Sequence, residues 1–464
     1  MKSLWNENNA AEATGGKAQG MWHASRVEID SRKVQLGDLF VAIKGDRVDG
    51  HLYVADALAR GAVAAIVSTI PEGISRTASL LVVDDTLVAL GGLAKAARAR
   101  SSAKIVGVTG SVGKTSTKEM LRLALATHGK TYATTGNYNN HIGTPLNLAN
   151  LPADAAFGVF EMGMNHAGEI SHLTHMVRPD VMVITNIEAV HLEFFKDLQA
   201  IADAKAEIFE GAEKGAVAVL NADNSFCDYL IEKARALHIA PLTFGEKETA
   251  DARLLTYEAT ATGAEMMIKL AGQTISFALA ATGKHWALTA LTALTVAQAL
   301  KLPLPKTAAA LADFSEVEGR GKVLPLALAE GNAWLVDDSY NASPVSMRAA
   351  ISKADEVWKL HGKKGRKIAA LGDMLELGND APHLHASLSD TLIAHGFDMV
   401  FTAGALMQHL SAALPKAQRG QHMLDAKQLM PLLQKTLAQG DVLLVKGSHG
   451  SKMYELADQI RKMR

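Results

Sequence analysis

Only one cysteine, Cys227, stands in the 464 residues, so no intramolecular disulfide braces the chain and a reducing compartment is expected. No histidine pattern beside it promotes the thiol, which reads as a small buried residue. Charge of one sign is not in excess either: 47 lysines and arginines face 48 aspartates and glutamates. That balance excludes a global basic field for nucleic acid, whereas a local phosphate site needs only a few residues. No apolar run reaches ~18 residues, the length a membrane-spanning helix requires. The opening MKSLWNENNAAEATGG lacks the basic start and apolar core of a signal peptide. The expectation is a cytoplasmic protein with no nucleic-acid partner and no stable membrane insertion.

What is present is an ordinary globular composition, 48% apolar and 20% charged, in a chain longer than one hydrophobic core usually serves. Residues 1–100 alternate short apolar segments (DLFVAIKG, AVAAIVSTI, SLLVVDD) with alanine-rich helical stretches, the pattern of a small α/β domain. From Lys104 the alternation is regular. KIVGVTG, AFGVFEMG and DVMVITNI read as strands and TSTKEMLRLALATHG as a helix, which predicts a mostly parallel sheet within 101–312. The stretch from Phe244 to Ala281 reads as shorter strand-like pieces, followed by the helix GKHWALTALTALTVAQAL. Over 313–464, NAWLVDDS, KIAALGD, FDMVFTAG and DVLLVKGS read as buried strands of a separate α/β domain. Parallel sheets gather their loops at one carboxyl edge, where separated polar motifs can meet one ligand.

The sharpest motif is GVTGSVGKT, Gly107–Thr115, a phosphate loop of the GxxxxGKT type between a strand and a helix. Its glycines allow close backbone approach, and Thr109, Gly110, Ser111, Val112 and Gly113 turn amides toward phosphate oxygens at the helix start. Lys114 supplies a mobile cation for the terminal phosphates of ATP, and the Thr115 hydroxyl is placed to hold Mg²⁺. Glu161, closing a strand beside the loop, is a candidate Mg²⁺ ligand, since hard carboxylate and phosphate oxygens suit that ion. His191 lies beyond the next strand and falls on the same edge. Lys205, on an apolar helical stretch, reads as a surface lysine or as an amine able to take up CO₂. Asn139 and Asn140 sit in TGNYNNHIGTP, where asparagine either caps a turn or offers neutral donors and acceptors to substrate.

The third segment adds EGRGK, DDSYNASP, GDMLELG and KGSHG. Arg320, between two glycines, is a candidate phosphate clamp. Asp338 and Asn341 are placed to orient nucleotide or amine, and Lys446 reads as an exposed loop lysine or a group steering a substrate carboxylate.

These ordered motifs resemble the Mur ligase family from end to end: DSRKVQLGDLFVAIKGDRVDGH, GVTGSVGKTSTKEM, TTGNYNNHIGTPLNL, GRGK, DDSYNASPVSM, GDMLELG and LLVKGS. The resemblance implies a three-domain α/β architecture. A UDP-precursor domain (1–100) precedes a central P-loop ATPase-like parallel sheet (101–312) and a C-terminal Rossmann-like ligase domain (313–464). It implies ATP-driven addition of D-alanyl-D-alanine to UDP-N-acetylmuramoyl-tripeptide through an acyl phosphate. Ser31 and Arg32 are implied to bind the UDP-substrate, and Asn139 and Asn140 to face substrate. Arg320 and Asp338 close on ATP, and Lys446 and Ser448 belong to the final ligase motif. Glu161, His191 and a carbamylated Lys205 are implied to support Mg²⁺. Two positions depart from the pattern: GKHWALT carries Trp286 and Thr289 where GxHNxxN is common, and Ser343 stands where asparagine is frequent. Another amino-acid ligase of the family or a folate polyglutamate synthetase is the alternative enzyme, and a nucleotide-binding switch the alternative of another class. One chain carrying all three substrate-handling regions is expected to act as a monomer.

Overall fold

The computed structural model describes residues 3–45, 48–190, 192–362 and 364–463. The first of three main sheets has five strands in the order Lys17–Gln19, Leu80–Val82, Ala64–Val67, Asp38–Val41 and Arg26–Glu28. All neighbours are parallel except the outer Lys17–Gln19. Inner strands such as Ala64–Val67 are buried along their whole length, which is why they read as unbroken apolar runs. Helix Thr86–Arg100 leaves this sheet, its start capped by the Asp85 carboxylate accepting from the N–H groups of Leu87 and Val88. The buried Arg98 guanidinium then donates to the carbonyls of Val177 (2.8 Å) and Arg178 (2.9 Å), tying the helix to the second unit.

The second unit is built on β1 (Lys104–Thr109), α1 (Lys114–Ala126), β2 (Phe157–Glu161), β3 (Val181–Ile184), α2 (Leu198–Ala206) and α3 (Lys284–Ala299). Its nine-stranded sheet runs Thr131–Ala133, β2, β1, β3, Val217–Asn221, Ala240–Gly245 in parallel. It then continues into Ala252–Thr260, Gly263–Leu270 and Gln273–Leu279. These last three form an antiparallel meander of nine, eight and seven residues, longer than the short pieces the sequence suggests. The reason is alternation. Ala264, Met266, Ile268 and Leu270 point into the core shared with α3, while the residues between them face solvent, so no apolar run announces the strand. Helix α1 presents Met120, Leu121, Ala124 and Leu125 to the same core, the spacing of one helical face.

The third unit contains β4 (Gly331–Asp338), α4 (Pro344–Val357) and β5 (Val442–Lys446). Its six-stranded sheet has the order Lys322–Leu328, β4, β5, Lys367–Gly372, Met399–Ala403, Arg419–Met423, and only the first pair is antiparallel.

Contacts around Glu316 and Tyr257 join the second and third units at one side of the space between them. Glu316, in the connecting segment, accepts from the N–H groups of Thr282 (3.2 Å) and Val323 (3.0 Å) and pairs with the buried Lys353 of α4. Nearby, the Tyr257 hydroxyl donates to Glu356 at 2.9 Å. Among the described residues no helix is long and apolar enough to cross a membrane.

Candidate active site

Parallel pairing sets the carboxyl ends of β2, β1 and β3 side by side: Glu161 is in register with Val108, and Ile184 with Thr109. The loop after β1 is therefore flanked by Glu161 on one side and by Thr185–Glu188 on the other. Gly107, the first glycine of the sequence pattern, lies inside β1, one residue further from Gly113 than GxxxxGKT allows. The turn is made instead by Gly110 (φ 144°) and Gly113 (φ 83°), both in conformations that favour glycine. A Cβ on Gly110 would fall 1.9 Å from Thr185 Oγ1, so the close approach also requires glycine there. Thr185 Oγ1 donates to the Val112 carbonyl at 2.6 Å, and the Ser111 N–H donates to the Asn186 carbonyl at 2.8 Å. The loop is thus fixed before any phosphate arrives.

Helix α1 begins at Lys114, whose Nζ donates back to the Gly110 carbonyl at 2.6 Å. Burial pushes this ammonium below the usual lysine range; Glu161 offsets part of that and the Arg320 cation adds to it. Glu161 is 2% exposed. Its Oε1 accepts from Asn139 Nδ2 at 2.7 Å, while the buried Oε2 finds no partner among the described residues. Lys205 on α2 is equally buried, and burial followed by repulsion from Lys114 drives its pKa well below the usual lysine range. His191 lies outside the described residues.

The opposite wall comes from the third unit. Gly319 (φ 70°) and Gly321 (φ 88°) flank Arg320, whose guanidinium lies 4.4 Å from the centre of the Tyr340 ring. Asp338 and Lys446 close two adjacent strands in direct register and form a 2.6 Å ion pair. Lys446, buried rather than looped into solvent, also donates to the Asn341 carbonyl at 2.9 Å. Ser448 Oγ accepts from the Leu375 N–H at 2.9 Å and donates to the Ala342 carbonyl at 3.3 Å, fastening three loops together.

Between these walls lies a cleft of about 660 Å³. Ser111, Val112, Gly113, Lys114 and Thr115 line it from the phosphate loop, with Asn139 and Glu161 beside them. Arg320, Asp338, Asn341, Lys446 and Ser448 face them. Thr109 is fully buried beneath the loop. Ser31, Arg32, Asn140 and Lys205 do not line the cleft. Ser31 is buried in the first unit, and the Arg32 guanidinium is exposed and held by Asp30 at 2.8 Å. Asn140 Oδ1 accepts from the N–H groups of Ile142 (3.2 Å) and Gly143 (2.9 Å), capping the following helix and lining a second, smaller cavity that shares Gly163 with the first.

Three stretches of the chain match models of one family: "Mur ligase family, catalytic domain" over residues 23–98, "Mur ligase middle domain" over 108–297, and "Mur ligase, glutamate ligase domain" over 319–449. The chain is 33% identical over 456 residues to the UDP-N-acetylmuramoyl-tripeptide–D-alanyl-D-alanine ligase of Rickettsia prowazekii, covering 98% of this chain and 99% of that one. It belongs to the Mur ligase family. The Escherichia coli protein of the same name is 34% identical over 443 residues, covering 94% and 93% of the two chains. Among solved structures, MurF from Acinetobacter baumannii superposes with a TM-score of 0.85 at 30% identity over 99% of both chains. A MurF ligase from Thermotoga maritima, in complex with ADP, gives 0.78 at 28% identity over 94% of this chain and 97% of that one.

Within this Mur ligase, the departures from the family pattern have local explanations. Trp286 is 1% exposed, packs its ring 5.0 Å from that of Phe314, and buries an Nε1 with no partner among the described residues. The Thr289 hydroxyl donates to the His285 carbonyl at 2.8 Å. Ser343 caps α4, its Oγ accepting from the Ser346 N–H, a position where serine serves as well as asparagine.

The Mur ligase cleft also takes in residues given no role from the sequence: Lys353, and, inside the motifs GKHWALT and GDMLELG, His285 and Leu375–Leu377. Burial, then Lys353 and Lys446, push the His285 imidazole down to about 3. An unfolded histidine titrates near ~6.5. Between these values the unfolded chain binds a proton that the folded chain refuses, so stability falls as pH drops through this window and is fully retained above it. Replacing His285 with glutamine is expected to shrink the loss of urea midpoint between pH 7.5 and pH 5. An unchanged acid loss contradicts the assignment.

Proposed function

We propose that this Mur ligase joins D-alanyl-D-alanine to the tripeptide carboxylate of UDP-N-acetylmuramoyl-tripeptide, converting ATP to ADP and phosphate. The observation that carries this reading is a single cleft where a phosphate loop on one unit faces Arg320 and the Asp338–Lys446 pair on another. The relatives named above, ligases matched over nearly their full length, favour this reading over a nucleotide switch. The division of labour follows the three segments, with 1–100 holding the UDP-precursor, 101–312 ATP and 313–464 the closing ligase surface. Both walls come from one chain, so a monomer suffices, and the enzyme works in the cytoplasm, where ATP and the soluble precursor are found.

A carboxylate and an amine do not condense directly because oxide is a poor leaving group. The tripeptide carboxylate oxygen therefore attacks the γ-phosphorus, the bond to the β-phosphate oxygen breaks and ADP departs. The amine of D-alanyl-D-alanine then attacks the acyl carbon of the resulting acyl phosphate. Collapse of the tetrahedral intermediate expels phosphate, and the amine proton passes to solvent. In this sequence the loop amides from Val112 to Thr115 hold the β- and γ-phosphates, the Ser111 N–H being taken by the Asn186 carbonyl, and Lys114 balances their charge. Arg320, with no carboxylate partner among the described residues, offsets charge on the transferred group from the other wall.

Thr115 and the orphaned Glu161 Oε2 fit a hard cation, and Asn139 fixes the other carboxylate oxygen. Thr115 and Glu161 would hold Mg²⁺, with His191 a further candidate ligand, and the ion would supply charge neutralisation on the phosphate oxygens. Burial and Lys114 disfavour the charged form of Lys205, and its free amine can add to CO₂ to form a carbamate, releasing one proton to solvent. That turns repulsion from Lys114 into attraction. Incubation with ¹³C-bicarbonate is expected to give one carbamate resonance in the wild type and none in Lys205→Arg; the same spectrum from both excludes the modification.

The ligase reading is tested by mass spectrometry of a reaction holding purified protein, ATP, Mg²⁺, UDP-N-acetylmuramoyl-tripeptide and D-alanyl-D-alanine, each omitted in turn. A pentapeptide product that needs every component is expected. ATP loss without that product overturns the reading, and a product from a different amine redirects it to another ligase of the family.

A further inference from the structure

The acceptor dipeptide brings a carboxylate that no step of the reaction consumes. Taking it from water into a cleft without a partner is strongly disfavoured, so a cation or a good donor has to meet it. Apart from Lys114 on the phosphate loop, the described lysine, arginine and histidine residues lining the cleft are His285, Arg320, Lys353, Lys446 and His449. Lys353 is paired with Glu316, and Lys446 with Asp338. His285 lies beside both of these ammonium groups, and they disfavour a third positive charge there. Arg320 is near enough to Lys114 to oppose its charge, which puts the guanidinium at the phosphate end. His449 remains.

Its setting is built for a ring of fixed orientation. His449 follows Ser448, which is held by its two hydrogen bonds to neighbouring loops. The imidazole lies 4.8 Å from the Tyr454 ring at an interplanar angle of 10° and 5.3 Å from the Tyr340 ring. Neither ring nitrogen has a hydrogen-bond partner among the described residues, so both are free for a ligand. Tyrosine faces carry negative potential and suit a neighbouring ring whose N–H groups donate to a carboxylate. Tyr340 also carries the Arg320 guanidinium, so His449 and the phosphate-end cation meet the same ring. At 4.4 Å and 5.3 Å from the one ring centre, the guanidinium and the imidazole are within about 10 Å of each other, a range that an extended dipeptide of roughly 7 Å reaches across.

We propose that His449, stacked on Tyr454 and tilted against Tyr340, recognises the free carboxylate of the acceptor dipeptide. This rests on the ligase reading above and names the acceptor end of that same cleft. Lys446, a candidate for this role from its motif, serves instead to fix Asp338 and the Asn341 backbone.

The test is steady-state ligation by the full-length protein at saturating ATP and precursor, with D-alanyl-D-alanine and with its C-terminal amide as acceptors. The wild type is expected to prefer the acid by about tenfold or more in kcat/KM, the size of a charge-assisted hydrogen bond. His449→Phe keeps the stacked ring but loses both nitrogens. Its KM for the acid should rise about tenfold while that for ATP stays put, and acid and amide should become equivalent. His449→Arg should retain the preference for the acid. A wild type that uses the amide as well as the acid, or a phenylalanine variant that still prefers the acid, overturns the subsite alone. A wild type that ligates neither acceptor overturns the ligase reading and the subsite with it.

Discussion

Replacing Lys114 with methionine is expected to cut turnover by roughly 10³-fold, the scale on which preorganised charge at a transferring group acts. Methionine keeps an unbranched stem and removes only the cation. The ammonium is poised by its 2.6 Å hydrogen bond to the Gly110 carbonyl, so it meets the phosphates without reorganising the loop. Single-turnover formation of ADP is the measurement, because it isolates phosphoryl transfer from product release. The same change should leave the melting temperature of the nucleotide-free protein unchanged or higher. Burial already disfavours this ammonium, as its lowered pKa shows, so removing the charge relieves a cost of folding. Normal ADP formation, or a loss explained by unfolding, contradicts the role given to Lys114.

The second large effect is expected from Glu161→Gln. Glutamine preserves an acceptor for Asn139 Nδ2 and the volume of the side chain, while the buried Oε2 becomes an amide that cannot ligate a cation. The Mg²⁺ concentration for half-maximal activity should rise by at least about 10²-fold, since losing a ligand costs more than the roughly 10- to 100-fold that follows from disturbing a residue behind one. Circular dichroism should show an intact fold. An unaltered Mg²⁺ dependence removes Glu161 from the metal site and leaves its orphaned oxygen without a function.

The parts of the site that were legible in the sequence are those whose chemistry is local. Residues 107–115 combine strand, turn glycines and helix start within nine positions, and the cleft forms around them. Even there the pattern misplaced one glycine, since Gly107 belongs to β1 and Gly110 makes the turn. Asn139 and Asn140 are adjacent and alike in type, yet one reaches Glu161 and the other caps a helix; only the path of the chain separates those outcomes. The Asp338–Lys446 pair depends on two strands distant in sequence lying in direct register, which no local signal encodes. The same holds for Glu316 with Lys353, which joins two units. The meander from Ala252 to Leu279 was blurred because alternating burial breaks its apolar runs. His449 was passed over because its significance lies in two rings that only the fold brings alongside it.

The central claim is that one cleft first phosphorylates a carboxylate and then transfers its acyl group to an amine. Labelling both oxygens of the tripeptide's terminal carboxylate with ¹⁸O tests this directly. The oxygen that attacks phosphorus stays with it when the acyl carbon is taken by the amine. Each peptide bond formed should therefore release one inorganic phosphate carrying a single ¹⁸O, with the other ¹⁸O in the new amide. Unlabelled phosphate released alongside ligated product would contradict the account.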